Sequence, residues 1–128
     1  MQYKNLIFFM LLNELRRLAA GIAAIAVLAG VAAHAGTADG ITAGKSLAME
    51  RNKGNCLACH RIEDGELPGT IGPPLVAMKL RYPERAALKQ QICDATIRNP
   101  DSRMPPFCRH GILTEDEVEL IVDYLYTL

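Results

Sequence analysis

Two cysteines and a histidine stand in one pentapeptide, Cys56-Leu57-Ala58-Cys59-His60. Two thiols separated by two residues on a turn of helix match the spacing of two vinyl groups on a porphyrin edge. The residue after the second thiol then aims its imidazole at the metal. This is the pattern of covalent c-type haem attachment, and it constrains the fold more than any other feature of the chain. Other readings of Cys-x-x-Cys are weaker here. A dithiol redox site sits beside a βαβ pattern, which this sequence lacks. A zinc site needs two more ligands, which Cys93, Cys108 or His110 would have to supply.

The need for a cofactor also follows from size. The chain has 128 residues, no Trp, and only 5% aromatic residues. Its apolar residues concentrate near the N-terminus, so the remainder has little bulk to bury, and a small domain of that kind needs a disulfide, metal or cofactor as a staple. Lys and Arg number 14 against 14 Asp and Glu, which argues against nucleic-acid binding through bulk charge.

Residues 1–35 read as a cleavable export signal. Arg16 and Arg17 precede an uncharged apolar run from Leu18 to Ala33, and Ala33-His34-Ala35 forms a small-residue cleavage pattern before Gly36. The run is short and rich in Ala and Gly for a permanent anchor, the alternative reading. A second apolar patch, Leu6–Leu12, makes the leading region long, and a start at Met10 would explain it. Export puts residues 36–128 in an oxidising compartment, where covalent haem is assembled.

The exported part reads as all-α, with a few short helices and long loops. Thr42 to Arg51 is expected to be helical with Thr42 as N-cap, after a polar lead-in over Thr37–Ile41. A second helix is expected from Pro83 to about Asn99, with Leu88, Ile92, Ala95 and Thr96 or Ile97 on its apolar side. The clearest helix begins at Thr114-Glu115-Asp116-Glu117, a capping box, and continues with Val118, Ile121, Val122 and Leu125 on one stripe.

His60 fills one axial position on the iron, and its second ring nitrogen needs an acceptor. The carbonyl of Pro73, in the turn Gly72-Pro73-Pro74-Leu75, is the candidate. Met49, Met78, Met104 and His110 are available for the other axial position. Met49 and Met78 suit packing. Met104 lies in the loop Arg103-Met104-Pro105-Pro106-Phe107, where the following proline enforces an extended backbone, and it leads, with His110 second. Histidine–methionine ligation fills both axial positions and points to electron transfer. Cys93 and Cys108 lie outside the motif, and an oxidising compartment makes a disulfide their default. It would close a loop containing Met104. A reactive Cys108 thiol beside Arg109 is the alternative.

Together, Lys53–His60, Gly72-Pro73-Pro74-Leu75, Arg81-Tyr82-Pro83, Asn99-Pro100, Met104-Pro105-Pro106-Phe107 and Ile112-Leu113-Thr114 resemble the SoxX family. These are the monohaem cytochrome c subunits of the SoxAX sulfur-oxidation complex. The resemblance spans Lys45 to Leu128, and its Asn-Pro and Met-Pro-Pro-Phe ending is the most specific part. It implies a small class I cytochrome c-like fold around one covalent haem, with Met104 as axial ligand. It also implies a periplasmic location, a SoxA-like mono- or dihaem partner, a SoxY-like carrier protein met transiently, and a downstream cytochrome as acceptor. The complex, an L-cysteine S-thiosulfotransferase, couples thiosulfate oxidatively to a carrier cysteine. Its catalytic centre lies on the partner, which leaves this chain to relay electrons. The chain departs from the family at Cys108, often glycine there, and Cys93 accompanies it. The competing readings are a free-standing monohaem carrier of another respiratory chain and a sulfur-handling protein working through Cys93 or Cys108.

Overall fold

The computed structural model describes residues 36–63 and 65–128, so the leader read over 1–35 lies outside the described residues. Among the described residues the structure is helical with no strand, as an all-α reading requires. No helix among them is long and apolar enough to cross a membrane.

Helix α1 spans Ala38–Met49 and starts a full turn earlier than Thr42. Thr37 is the N-cap: its side chain accepts from Gly40 N at 3.1 Å. Thr42 sits inside the helix and donates its hydroxyl to Ala38 O at 2.9 Å, a bond that an N-cap could not make. Asp39 in the first turn complements the helix dipole. The expected polar lead-in is therefore the first turn of the helix.

A short helix that the sequence reading did not expect, α2, Met78–Arg81, ends at Tyr82, whose non-helical backbone precedes Pro83. The helix expected from Pro83 to about Asn99 is itself divided. Helix α3 runs from Arg85 to Cys93 and stops well before Asn99. The cause is Asp94. It is extended, and its carboxylate accepts from Thr96 N at 3.0 Å, which starts a separate 3-10 turn over Ala95–Ile97. The change of period turns Ile97 outward, 63% exposed, while Leu88, Ile92 and Ala95 stay buried.

Helix α4, Glu115–Leu125, carries the complete capping box between Thr114 and Glu117. Val118, Ile121, Val122 and Leu125 are all buried, as their spacing predicts. Helices α1 and α4 form the principal packed pair, through the buried face Gly40, Gly44 and Ala48 of α1. A Cβ on Gly44 would lie 2.0 Å from Leu120 O, so the two backbones touch there. Helix α3 joins α4 through Arg85, whose Nε meets Glu119 Oε2 at 2.7 Å and whose Nη1 meets Asp123 Oδ1 at 2.5 Å. The C-terminus is tied in by Met78 N to Leu128 O at 3.2 Å and by the Tyr126 hydroxyl to Tyr82 O at 2.8 Å.

Candidate haem site

Cys56 opens a 3-10 turn, Cys56–Ala58, entered through Asn55 in the left-handed region at φ 44°. His60 N donates to Cys56 O at 2.8 Å, which folds the pentapeptide into one compact turn. Lys53 fixes its approach, since Nζ pairs with Glu117 Oε1 at 2.6 Å at the head of α4. That lysine ammonium and the Thr114 backbone N–H hold the Glu117 carboxyl below its ordinary value.

The following loop is laid along this turn by backbone bonds. Gly69 N donates to Leu57 O at 2.8 Å, Gly72 N to Cys59 O at 2.8 Å, and Leu75 N to Arg61 O at 2.9 Å. His60 Nδ1 then lies 2.7 Å from Pro73 O. A carbonyl only accepts, so Nδ1 carries the proton and Nε2 keeps its lone pair for a metal. The loop sits tightly on the ring: a Cβ on Gly72 would lie 2.3 Å from His60 Cε1.

Cys56, Cys59, His60 and Met104 line one cavity of about 720 Å³, within the range of about 300–1,000 Å³ usual for cofactor pockets. Leu75, Leu88, Ile92, Phe107, Ile121 and Leu125 supply its apolar wall. Arg51, Lys53, Arg81 and Arg103 also line it, against one carboxylate among the described lining residues, Asp101. These features fit haem: two thiols and an oriented imidazole on one side, a thioether on another loop, an apolar slot, and cations for the acid side chains of a porphyrin.

Of the other axial candidates, two lie outside this cavity. His110 is exposed and does not line this cavity. Met49 borders a separate depression of about 510 Å³ with Leu57 and Leu67. Met78 lines the haem cavity but is almost fully buried, and its sulfur accepts from Arg81 Nη1 at 3.4 Å. The same Arg81 nitrogen donates to Pro74 O at 2.8 Å, next to the carbonyl that holds His60. This bridging role was not read from the sequence. Its signal in the sequence was the motif Arg81-Tyr82-Pro83, which gives no partner for the guanidinium.

Cys93 and Cys108 are joined as a disulfide, with Cα atoms 4.7 Å apart. Cys108 N also donates to Cys93 O at 3.2 Å. The Arg109 guanidinium, expected to activate a free Cys108 thiol in one reading, instead meets Asp94 Oδ2 at 3.2 Å. A thiol or zinc role through Cys93 and Cys108 is therefore not supported, and the described residues contain no cluster of three or more His, Cys, Asp or Glu side chains suited to a metal. Burial pushes the Cys56 thiol up to about 11, so it holds its proton and is a poor centre for disulfide exchange.

The family described as "Cytochrome C oxidase, cbb3-type, subunit III" matches residues 39–125. That stretch runs from the first turn of α1 to the end of α4 and contains the whole cavity. A comparison with curated proteins finds no match.

Proposed function

Since the chain belongs to the cytochrome c family described from subunit III of cbb3-type oxidase, and so is an electron-transferring c-type cytochrome with covalently bound haem c, we propose that it is the exported electron-relay subunit of a SoxAX-like complex. The observation that carries this reading is the placement of Met104. The most specific segment of the resemblance, Met104–Phe107, contributes to the cavity that Cys56, Cys59 and His60 also line.

Cys56 and Cys59 would hold the porphyrin as thioethers, and His60, oriented by Pro73, would offer its Nε2 to the iron. Met104, on another wall of the same cavity, would offer its sulfur. A haem whose iron took both groups would have no open position for a small molecule, which suits electron transfer. Bound haem c supplies a one-electron iron couple. Joining thiosulfate to a carrier thiol through a new S–S bond releases one proton and two electrons. In this reading a SoxA-like partner performs that step, and this chain passes the electrons singly to a periplasmic cytochrome.

The family match keeps a second reading in play, a free-standing carrier in a respiratory chain. One experiment separates the two. The native protein is purified under mild conditions, and its haem is monitored while thiosulfate and a carrier protein with a free cysteine thiol are added. The relay reading expects co-purification with a second c-type cytochrome and haem reduction that needs both additions. A protein that elutes alone and stays oxidised under both additions is a free-standing carrier.

A further inference from the structure

Gly36 N lies 2.7 Å from Asp123 Oδ2, across 87 residues of sequence. Gly36 is also the first residue after the Ala33-His34-Ala35 cleavage pattern. We propose that a leader peptidase hydrolyses the Ala35–Gly36 bond and that the Gly36 ammonium so formed docks on Asp123, fastening the start of α1 to α4 by an ion pair. This rests on the reading of residues 1–35 as a cleavable leader. Water supplies the hydroxyl that leaves with the Ala35 carboxyl group. The released amine takes up a proton.

The surroundings of Asp123 suit such a cation. The Asp123 side chain is only 7% exposed, and a carboxylate so placed is rarely found unpaired. Its Oδ1 is taken by Arg85 Nη1. Arg85 is shared with Glu119 through Nε and through Nη2, which donates to Glu119 O at 2.8 Å. Lys89 is shared between Glu119 at 3.0 Å and Glu115 at 3.1 Å. Arg85 and Lys89 are thus each divided between two acids. A terminal ammonium on Gly36 would bring a full positive charge to the Asp123 oxygen that already accepts from the Gly36 nitrogen.

The pair also removes a conflict. An ammonium two residues before α1 would oppose the positive end of that helix's dipole. A buried carboxylate reaching in from α4 neutralises it.

The sign of the pH effect follows from linkage. Pairing raises the amine's folded pKa above its unfolded value of about 7.7–8.0. The contribution is complete below that unfolded value and disappears as pH rises through the raised folded value.

The test uses the haem-loaded protein. The N-terminus of the natively exported form is sequenced. Urea unfolding is then compared, at pH 6.5 and at pH 10.5, between a form beginning at Gly36 and a form retaining Ala35. Both forms keep the Gly36 nitrogen, but only the first has its charge beside Asp123. The proposal expects Gly36 as the native terminus. It also expects an unfolding constant about tenfold smaller for that form at pH 6.5, the equivalent of about one unit's rise in the amine's pKa. The gap should vanish at pH 10.5 and in Asp123→Asn. A different native terminus overturns the cleavage. Equal stability of the two forms at pH 6.5, or a gap that persists at pH 10.5, overturns the ion pair even where Gly36 is the terminus and even if Asp123→Asn fails to fold.

Discussion

One imidazole shows how closely this site is specified. His60 is positioned through its Nδ1 by Pro73 O, and the loop bearing that carbonyl can approach only because residue 72 has no side chain. In Gly72→Ala the new methyl would fall 2.3 Å from His60 Cε1, so the loop must withdraw and the 2.7 Å contact to Pro73 must lengthen. The thioethers still hold the porphyrin, so haem content should not change. The imidazole becomes less basic and binds oxidised iron less well. A tenfold loss of that preference raises the one-electron midpoint potential by about 60 mV. Optical redox titration of the purified protein measures it. A potential unchanged within about 10 mV, far inside that one-electron step, would show that Pro73 does not tune the ligand.

Helix ends and helix faces are the next scale, and they differ in how openly the sequence displays them. The start of α4 is written locally, since Thr114 and Glu117 cap each other within four residues. Thr114→Ala should cost about 1 kcal/mol, read by urea unfolding. Glu117 also receives Lys53, and its carboxyl is held below the ordinary 4.5. A depressed carboxyl contributes stability above the unfolded pKa and loses it as pH falls through the folded value. The stability lost between pH 6 and pH 3 should therefore be smaller in Glu117→Gln than in the natural protein. Helix α1 is written less openly. Its packed face is Gly40, Gly44 and Ala48, and a search for bulky apolar periodicity passes over it. The signal there is close approach, visible only once Leu120 O is known to sit against Gly44. Gly44→Ala, a favourable change in an isolated helix, should instead destabilise by about 1–3 kcal/mol by forcing the two backbones apart. The break in α3 was hidden for another reason: Asp94 offers its carboxylate to Thr96 N, and that choice depends on loop geometry beyond the helix. In the site, the Cys56–His60 turn was legible because it is contiguous. The role of Arg81 was not, because it depends on where Pro74 returns.

At the largest scale, the described residues form a short helical domain with a cavity that fits haem, and the wall bearing Met104 has no regular structure of its own. That wall is fastened to the end of α3 at adjacent positions: the Cys93–Cys108 bond, the Cys108 N to Cys93 O hydrogen bond at 3.2 Å, and the Arg109–Asp94 pair at 3.2 Å. The Cys56–His60 wall is held separately, by Lys53–Glu117 and by the backbone bonds to Gly69 and Gly72. Removing the disulfide should therefore act unequally on the two sides. Paired Cys93→Ala and Cys108→Ala substitutions, which leave no odd thiol, release a loop of sequence separation 15 and should cost about 3 kcal/mol in the chain-entropy model. Thioether attachment and the His60 side should survive. The Met104 side should loosen first, so that on heating the visible methionine–iron band fades several degrees before helical circular dichroism is lost. In the natural protein the two transitions should coincide. Coincident transitions in the paired variant as well would mean that the bridge stabilises the domain as a unit and has no particular hold on the methionine loop.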